Sequence, residues 1–207
     1  MAFSQFKTIA EVQKAYNIRY TEVPFIQQID RPLPPALLED FQFNKENIDI
    51  FASEAARSEL IISPLLRSVY RNHSQYYSFW IQKSLSCDEL LSGTPDYMLS
   101  KRSPLGKTVL EMPIVIIVEA KKNDFEQGWG QCLAELVASQ KLNQAPEQPV
   151  YGILTDGNLW QFGYLQADLF TKDDRNYTID RIQEVYGALE YLLTRIEQEQ
   201  LSTPPSV

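Results

Sequence analysis

Asp96, Glu119 and Lys121 carry the chemistry that this sequence offers. Asp96 follows Pro95 inside a short β-prone segment, Thr94 to Leu99, and Glu119-Ala120-Lys121 closes an uninterrupted apolar run, Pro113 to Val118. Residues two apart on a strand point to the same side, so Glu119 and Lys121 share a face, and a neighbouring strand sets Asp96 beside them. Two carboxylates and an ammonium at one sheet edge, with the Ala120 carbonyl as a further donor, offer hard oxygen ligands to Mg²⁺ or Mn²⁺. Without a cation, two carboxylates about 4 Å apart repel by on the order of 4 kcal/mol at an effective dielectric near 20, and Lys121 offsets only part of that. A bound metal resolves the repulsion, polarises a scissile phosphate and lowers the pKa of attacking water. Lys121 then orients that water or stabilises the phosphorane-like charge. Either segment alone reads more readily as a turn device or a solvated edge pair than as a site; their joint placement on a hairpin with a buried second strand points to chemistry.

The elements that position these residues are legible from periodicity. Pro113 to Val118 is rich in β-branched residues and predicts a strand buried on both faces, the centre of a sheet. Gln75 to Cys87 alternates Tyr77, Phe79 and Ile81 with Ser78, Trp80 and Gln82, which predicts a first strand, and Thr94 to Leu99 a second. Phe125 to Leu142 reads as a helix. Val150 to Leu154 and Leu159 to Leu165 flank the turn tetrad Thr155-Asp156-Gly157-Asn158 as a hairpin. Helical spacing from Lys45 to Tyr70 predicts one long helix bent or split at Pro64, and Asp180 to Gln198 a last amphipathic helix. The order gives an α/β fold, a central mixed β-sheet flanked by helices in three layers. Upstream, Thr8 to Asn17 is amphipathic, Arg19 to Ile26 can form a short strand, and Arg31 to Pro35 is a rigid turn. Residues 1–45 are expected to pack as an extension on a core formed by 46–200, with a frayed Pro/Ser-rich tail at 201–207, in one structural domain.

With 44% hydrophobic and 12% aromatic residues, 207 residues suffice for one buried core. The longest apolar run is far short of the roughly 20 residues that span a bilayer, and the N-terminus has no basic-then-apolar pattern, so the expectation is a soluble, cytoplasmic protein. Cys87 and Cys132 have no metal-ligand spacing and read as reduced and structural. His73, the sole histidine, excludes a multi-histidine zinc site and reads as a loop residue after a helix. The aromatic group Tyr76, Tyr77, Phe79 and Trp80 reads as strand packing rather than base stacking. A net charge of −8 argues against indiscriminate nucleic-acid binding. A local basic rim is enough, however, and Lys101, Arg102 and Lys107 with Lys121 and Lys122 are its candidates, against the alternative of ordinary solvated cations. Asp124, with Lys122 and Asn123 before it, reads as the cap of the following helix.

Pro95-Asp96 followed by Glu119-Ala120-Lys121 after a hydrophobic strand resembles the PD-(D/E)xK nuclease superfamily, whose fold is restriction-endonuclease-like. Ser53-Glu54-Ala55-Ala56-Arg57-Ser58-Glu59-Leu60-Ile61-Ile62-Ser63-Pro64-Leu65-Leu66 is similar to the helix preceding the sheet in the nuclease domain of type I restriction motor subunits. The resemblance covers roughly residues 46–165, including the strand and turn from Tyr151 to Phe162. It implies a metal-dependent DNA endonuclease in which a glutamate of that helix joins the metal site. The motif match gives Glu54, with Glu59 as alternative; the two lie about 140° apart on an α-helix, so at most one faces the site. It also implies that Gln131 helps to position the site. No helicase motor accompanies the motif, so such an enzyme acts alone, as a homodimer or with a separate partner chain. The alternative is a catalytically silent nuclease-fold protein that binds nucleic acid or serves as a scaffold.

Overall fold

The computed structural model describes residues 3–27, 29–121 and 124–202. Along these the elements are α1 (Ile9–Tyr16), β1 (Arg19–Glu22), α2 (Pro35–Asn47), α3 (Glu54–Arg57), α4 (Ser63–His73), β2 (Tyr77–Ile81), β3 (Leu85–Ser86), β4 (Ser92–Gly93), β5 (Tyr97–Lys101), β6 (Glu111–Ala120), α5 (Phe125–Asn143), β7 (Val150–Thr155), β8 (Leu159–Gln166), β9 (Leu169–Lys172), β10 (Tyr177–Thr178) and α6 (Ile182–Ser202). Seven strands form one mixed sheet in the order β1-β9-β8-β7-β6-β5-β2, with β10 paired to β8.

β6 is the organising strand. Its apolar residues from Ile114 to Val118 are buried on both faces, as a strand roofed by helices on each side must be. On one face Ile116 and Val118 pack with Leu65 and Val69 of α4 and Leu189 and Leu192 of α6. On the other, Ile114 and Ile117 meet Leu133 and Leu136 of α5, with Val12 of α1 behind them. The molecule is thus an α/β three-layer structure, compatible with a restriction-endonuclease-like fold. β6 runs antiparallel to β5 and parallel to β7, with α5 as the crossover, so the ends of β6 and β7 and the start of β5 meet at one sheet edge.

Three local expectations change. The helical stretch from Lys45 is not one helix: α2 stops at Asn47, residues 48–53 break it, and Ser53 caps α3 through its side chain on the Ala56 N–H. A hydroxyl cap that satisfies an orphan amide competes with continuation of the preceding helix. At Pro64 the helical backbone continues: a π turn, Ser58–Ile62, precedes it and leads into α4 with Pro64 in the first turn, where a missing N–H costs little. Strands β9 and β10 continue the sheet beyond the hairpin. Residues 1–45 supply an edge strand: β1 pairs in parallel with β9, and the buried Asp173 carboxylate accepts the Phe25 and Ile26 amides at 2.9 and 2.8 Å. Of the tail expected at 201–207, Leu201 and Ser202 end α6, and residues 203–207 lie outside the described residues.

Candidate active site

The Pro95-Asp96 corner ends where β5 begins, and the Gln82 amide donates to the Asp96 carbonyl at 2.9 Å, fixing its height against β2. Because Tyr97 pairs with Val118, the next step along the ladder sets Asp96 opposite Glu119. The Asp96 side chain turns onto β6, where Oδ2 accepts the Ala120 N–H at 2.8 Å. Lys121 leaves β6 with its amide donated to the Thr155 carbonyl at 2.9 Å, and its ammonium lies 3.2 Å from Glu119 Oε2. Room for that lysine depends on a missing side chain: a Cβ on Gly128 of α5 would stand 2.6 Å from Leu154 Cδ1 and 3.1 Å from Lys121 Cγ. Asp124 opens α5, accepting the Gln127 amide.

Asp96, Glu119, Lys121 and Gln131 line one cavity of about 480 Å³, with Glu54 on its rim. The structure therefore brings together five of the candidates. Between the two helix glutamates it favours Glu54, whose charge acts on Asp96, whereas Glu59 acts on Tyr97. The π turn after Arg57 breaks the regular angular spacing on which the two were compared. The expected basic rim does not form as one surface. Lys101, Arg102 and Lys107 sit at the far end of β5, where Lys101 pairs with Glu111 at the start of β6; Lys101 is five residue steps along the strand from Asp96, about 16 Å. Arg102 is engaged on the Ser74 carbonyl at 2.5 Å. Lys122 lies outside the described residues.

One residue escaped the sequence reading. Glu135 is fully buried on α5, one turn past Gln131, whose amide donates to Glu135 Oε1 at 3.1 Å. A carboxylate inside the apolar run Cys132-Leu133-Ala134-Glu135-Leu136-Val137-Ala138, in line with Gln131 and Ser139 at helical spacing, was the signal that could have found it. Glu119 is equally enclosed, at 1% exposure. Burial first, then the Asp96 charge, pushes the Glu119 carboxyl up to about 7; burial and Glu119 hold Glu135 well above the carboxylate range. Asp96 is raised by burial against the opposing pull of the Ala120 amide and Lys121. Burial works to discharge Lys121, but Glu119 and Asp96 outweigh it and keep the ammonium charged.

Glu119 Oε1 and Glu135 Oε2 are buried and have no hydrogen-bond donor. A divalent cation fits this donor set: hard oxygens, an unsatisfied buried acceptor and clustered negative charge. Among the described residues no group of three or more His, Cys, Asp or Glu is gathered as a ready metal cage, and Mg²⁺ characteristically takes one or two carboxylates together with water and substrate oxygens. Asp96 and Glu119 would be its side-chain ligands, with the carbonyl of Ala120, the residue after Glu119, as a further donor. A larger cleft of about 560 Å³ lies elsewhere, lined by Ile114, Asn143 and Arg195; Arg195 is already paired with Glu199 at 2.8 Å, so it offers no comparable chemistry.

Outside the site, His73 is the last residue of α4 and not a loop residue; it is held between Glu197 at 2.5 Å and Glu190 at 3.3 Å. Phe79 stacks between Tyr70 and Tyr97, and Tyr77 is buried, so strand packing is what this aromatic group does, apart from the exposed Tyr76. No described helix is long and apolar enough to cross a membrane.

No protein-family model and no curated protein sequence matches this chain. Among solved structures it is similar to a chain in the cryo-EM structure of a DrdV–DNA complex, with a TM-score of 0.42 and 14% identity over 82% of this chain. The chain spans 14% of the length of that protein.

Proposed function

We propose that this protein is a divalent-metal-dependent phosphodiesterase that cuts DNA, with Asp96, Glu119 and Lys121 as its catalytic residues. The observation that carries the reading is the convergence of those three side chains in one cavity around a buried carboxylate oxygen that lacks a donor. DNA as substrate follows from the resemblance of the Ser53–Leu66 and Tyr151–Phe162 segments to type I nuclease domains. When bound, Mg²⁺ or Mn²⁺ supplies Lewis-acid polarisation of the phosphate and a water acidified for attack. The chain's own groups do the rest. The Ala120 amide fixes Asp96, Lys121 stays charged beside Glu119 and faces the developing negative charge, and Glu54 adds a carboxylate at the rim. Purified protein incubated with supercoiled plasmid and single-stranded DNA in Mg²⁺ or Mn²⁺ should nick or linearise it, and Asp96→Ala or Lys121→Met should reduce the rate at least about 100-fold. Cleavage equal in wild type and Asp96→Ala, or none on any substrate, would contradict the reading.

A second reading, a silent nuclease-fold protein that binds nucleic acid or acts as a scaffold, is favoured by the separation of Lys101, Arg102 and Lys107 from the acidic cavity. It predicts DNA affinity that falls steeply with salt and is indifferent to Asp96→Ala.

A further inference from the structure

Resting on that reading, we propose that the segment Phe3–Thr8 is a wall of the active site that restricts its substrate to single-stranded DNA. Besides its catalytic side, the cavity is lined by Phe3, Ser4, Gly93 and Thr94. Phe3 and Ser4 belong to a short helical turn, and Gly93 to β4 of the separate two-stranded β3–β4 sheet, so this side is built outside the main sheet. The segment is fitted to its neighbours. Thr8 accepts the Glu11 amide at 3.2 Å while the Glu11 carboxylate accepts the Lys7 amide at 2.6 Å, a reciprocal cap that fixes the chain's entry into α1. Phe3, at 1% exposure, is buried in the cluster that holds Leu91 and Leu133 of α5. Two glycines make way for the segment: a Cβ on Gly93 would stand 2.5 Å from Phe3 Cδ2, and one on Gly130 of α5 would stand 2.6 Å from the Thr8 amide nitrogen. The consequence is steric. Glu119 is 1% exposed, so a scissile phosphate meets its carboxylate only from inside the cavity. A duplex is stiff over about 150 bp and carries its phosphates on the rims of grooves about 6 and 12 Å wide, so it offers a surface and not a loose strand. A space of about 480 Å³ takes an unstacked stretch of single strand. Lys7, whose ammonium is held on the Ser4 carbonyl at 2.6 Å, sets a cation for its phosphates beside this wall.

The test gives the full chain, with Mg²⁺ or Mn²⁺, one oligonucleotide sequence as a single strand and as a linear blunt duplex. Wild type should cleave the single strand at least about tenfold faster, because the duplex must first be unpaired and unstacked. Two variants displace the wall by different routes. Phe3→Ala empties it; Gly130→Ala drives a methyl group into the Thr8 backbone while making α5 a better helix former, so it decides the matter should Phe3→Ala fail to fold. Each should narrow the ratio of the two rates at least about threefold by gaining on the duplex. Equal wild-type rates on the two forms overturn the inference and leave the proposed function standing. So does a ratio that the variants leave unchanged, or narrow only by losing the single strand. Cleavage of neither form by wild type overturns both.

Discussion

Replacing the Glu119 carboxylate by an amide separates its cost to the fold from its use to the site. Its folded-state pKa, about 7, lies above the ordinary 4.5. The sign follows: stability from this group is fully present below pH 4.5 and is lost as pH rises through about 7. At pH 8 without metal, Glu119→Gln should therefore be more stable than wild type, by up to about 3 kcal/mol at 1.36 kcal/mol per pKa unit, with little difference at pH 4. Added Mn²⁺ should raise the melting temperature of wild type alone. Melting curves at the two pH values check this; a variant less stable at pH 8 would contradict it. At this scale the sequence was informative where alternation and burial act together. The Glu119–Lys121 face and the Pro95-Asp96 corner follow from strand geometry. Glu135 did not, because the residues next to it in sequence are apolar and nothing local says that its face of α5 looks at a carboxylate on β6.

Between elements, the contacts that were hardest to anticipate are those joining distant segments. The apolar run of β6 and the Ala/Leu-rich α5 declare themselves by composition. β9 and β10 are short, and their pairing is decided by partners already in the sheet; the break at residues 48–53 depends on a single cap at Ser53. His73 illustrates the same limit: the periodicity ended at Tyr70 and left His73 in a loop, whereas it closes α4 and meets partners on α6. Burial pulls the His73 imidazole down, but hydrogen bonds to Glu190 and Glu197 outweigh it and raise the pKa above 6.5. Glu190 is held below 4.5 against its own burial by His73, Asn72 and Arg31. The histidine's contribution is full below pH 6.5 and lost as pH rises through its folded value; that of Glu190 is present above 4.5 and lost on acidification. The staple between α4 and α6 should therefore act most strongly between pH 4.5 and 6.5. His73→Gln is expected to cost about 1–3 kcal/mol in that window and less at higher pH, read from denaturant midpoints. A constant difference across pH would refute the charged staple.

Over the whole molecule, the catalytic candidates occupy one sheet edge, the cations of the β5–β6 loop the other, and the N-terminal segment closes the sheet laterally. β1 covers the edge of β9, whose Phe170 and Thr171 are buried, while α1 packs its Val12 against the α5 layer. Residues 1–22 removed together would leave a partly apolar strand edge unpaired. Such a truncation should elute as oligomers or aggregate on size exclusion where the full chain runs as a defined species; a monodisperse, equally stable truncation would show that β1 is dispensable.

A cation site built on Asp96 and Glu119 would show itself in a crystal soaked with Mn²⁺ and measured at the manganese edge. The expected result is an anomalous peak contacting an Asp96 oxygen, a Glu119 oxygen and the Ala120 carbonyl. No peak in this cavity at saturating Mn²⁺, or a peak held by other residues, would contradict it.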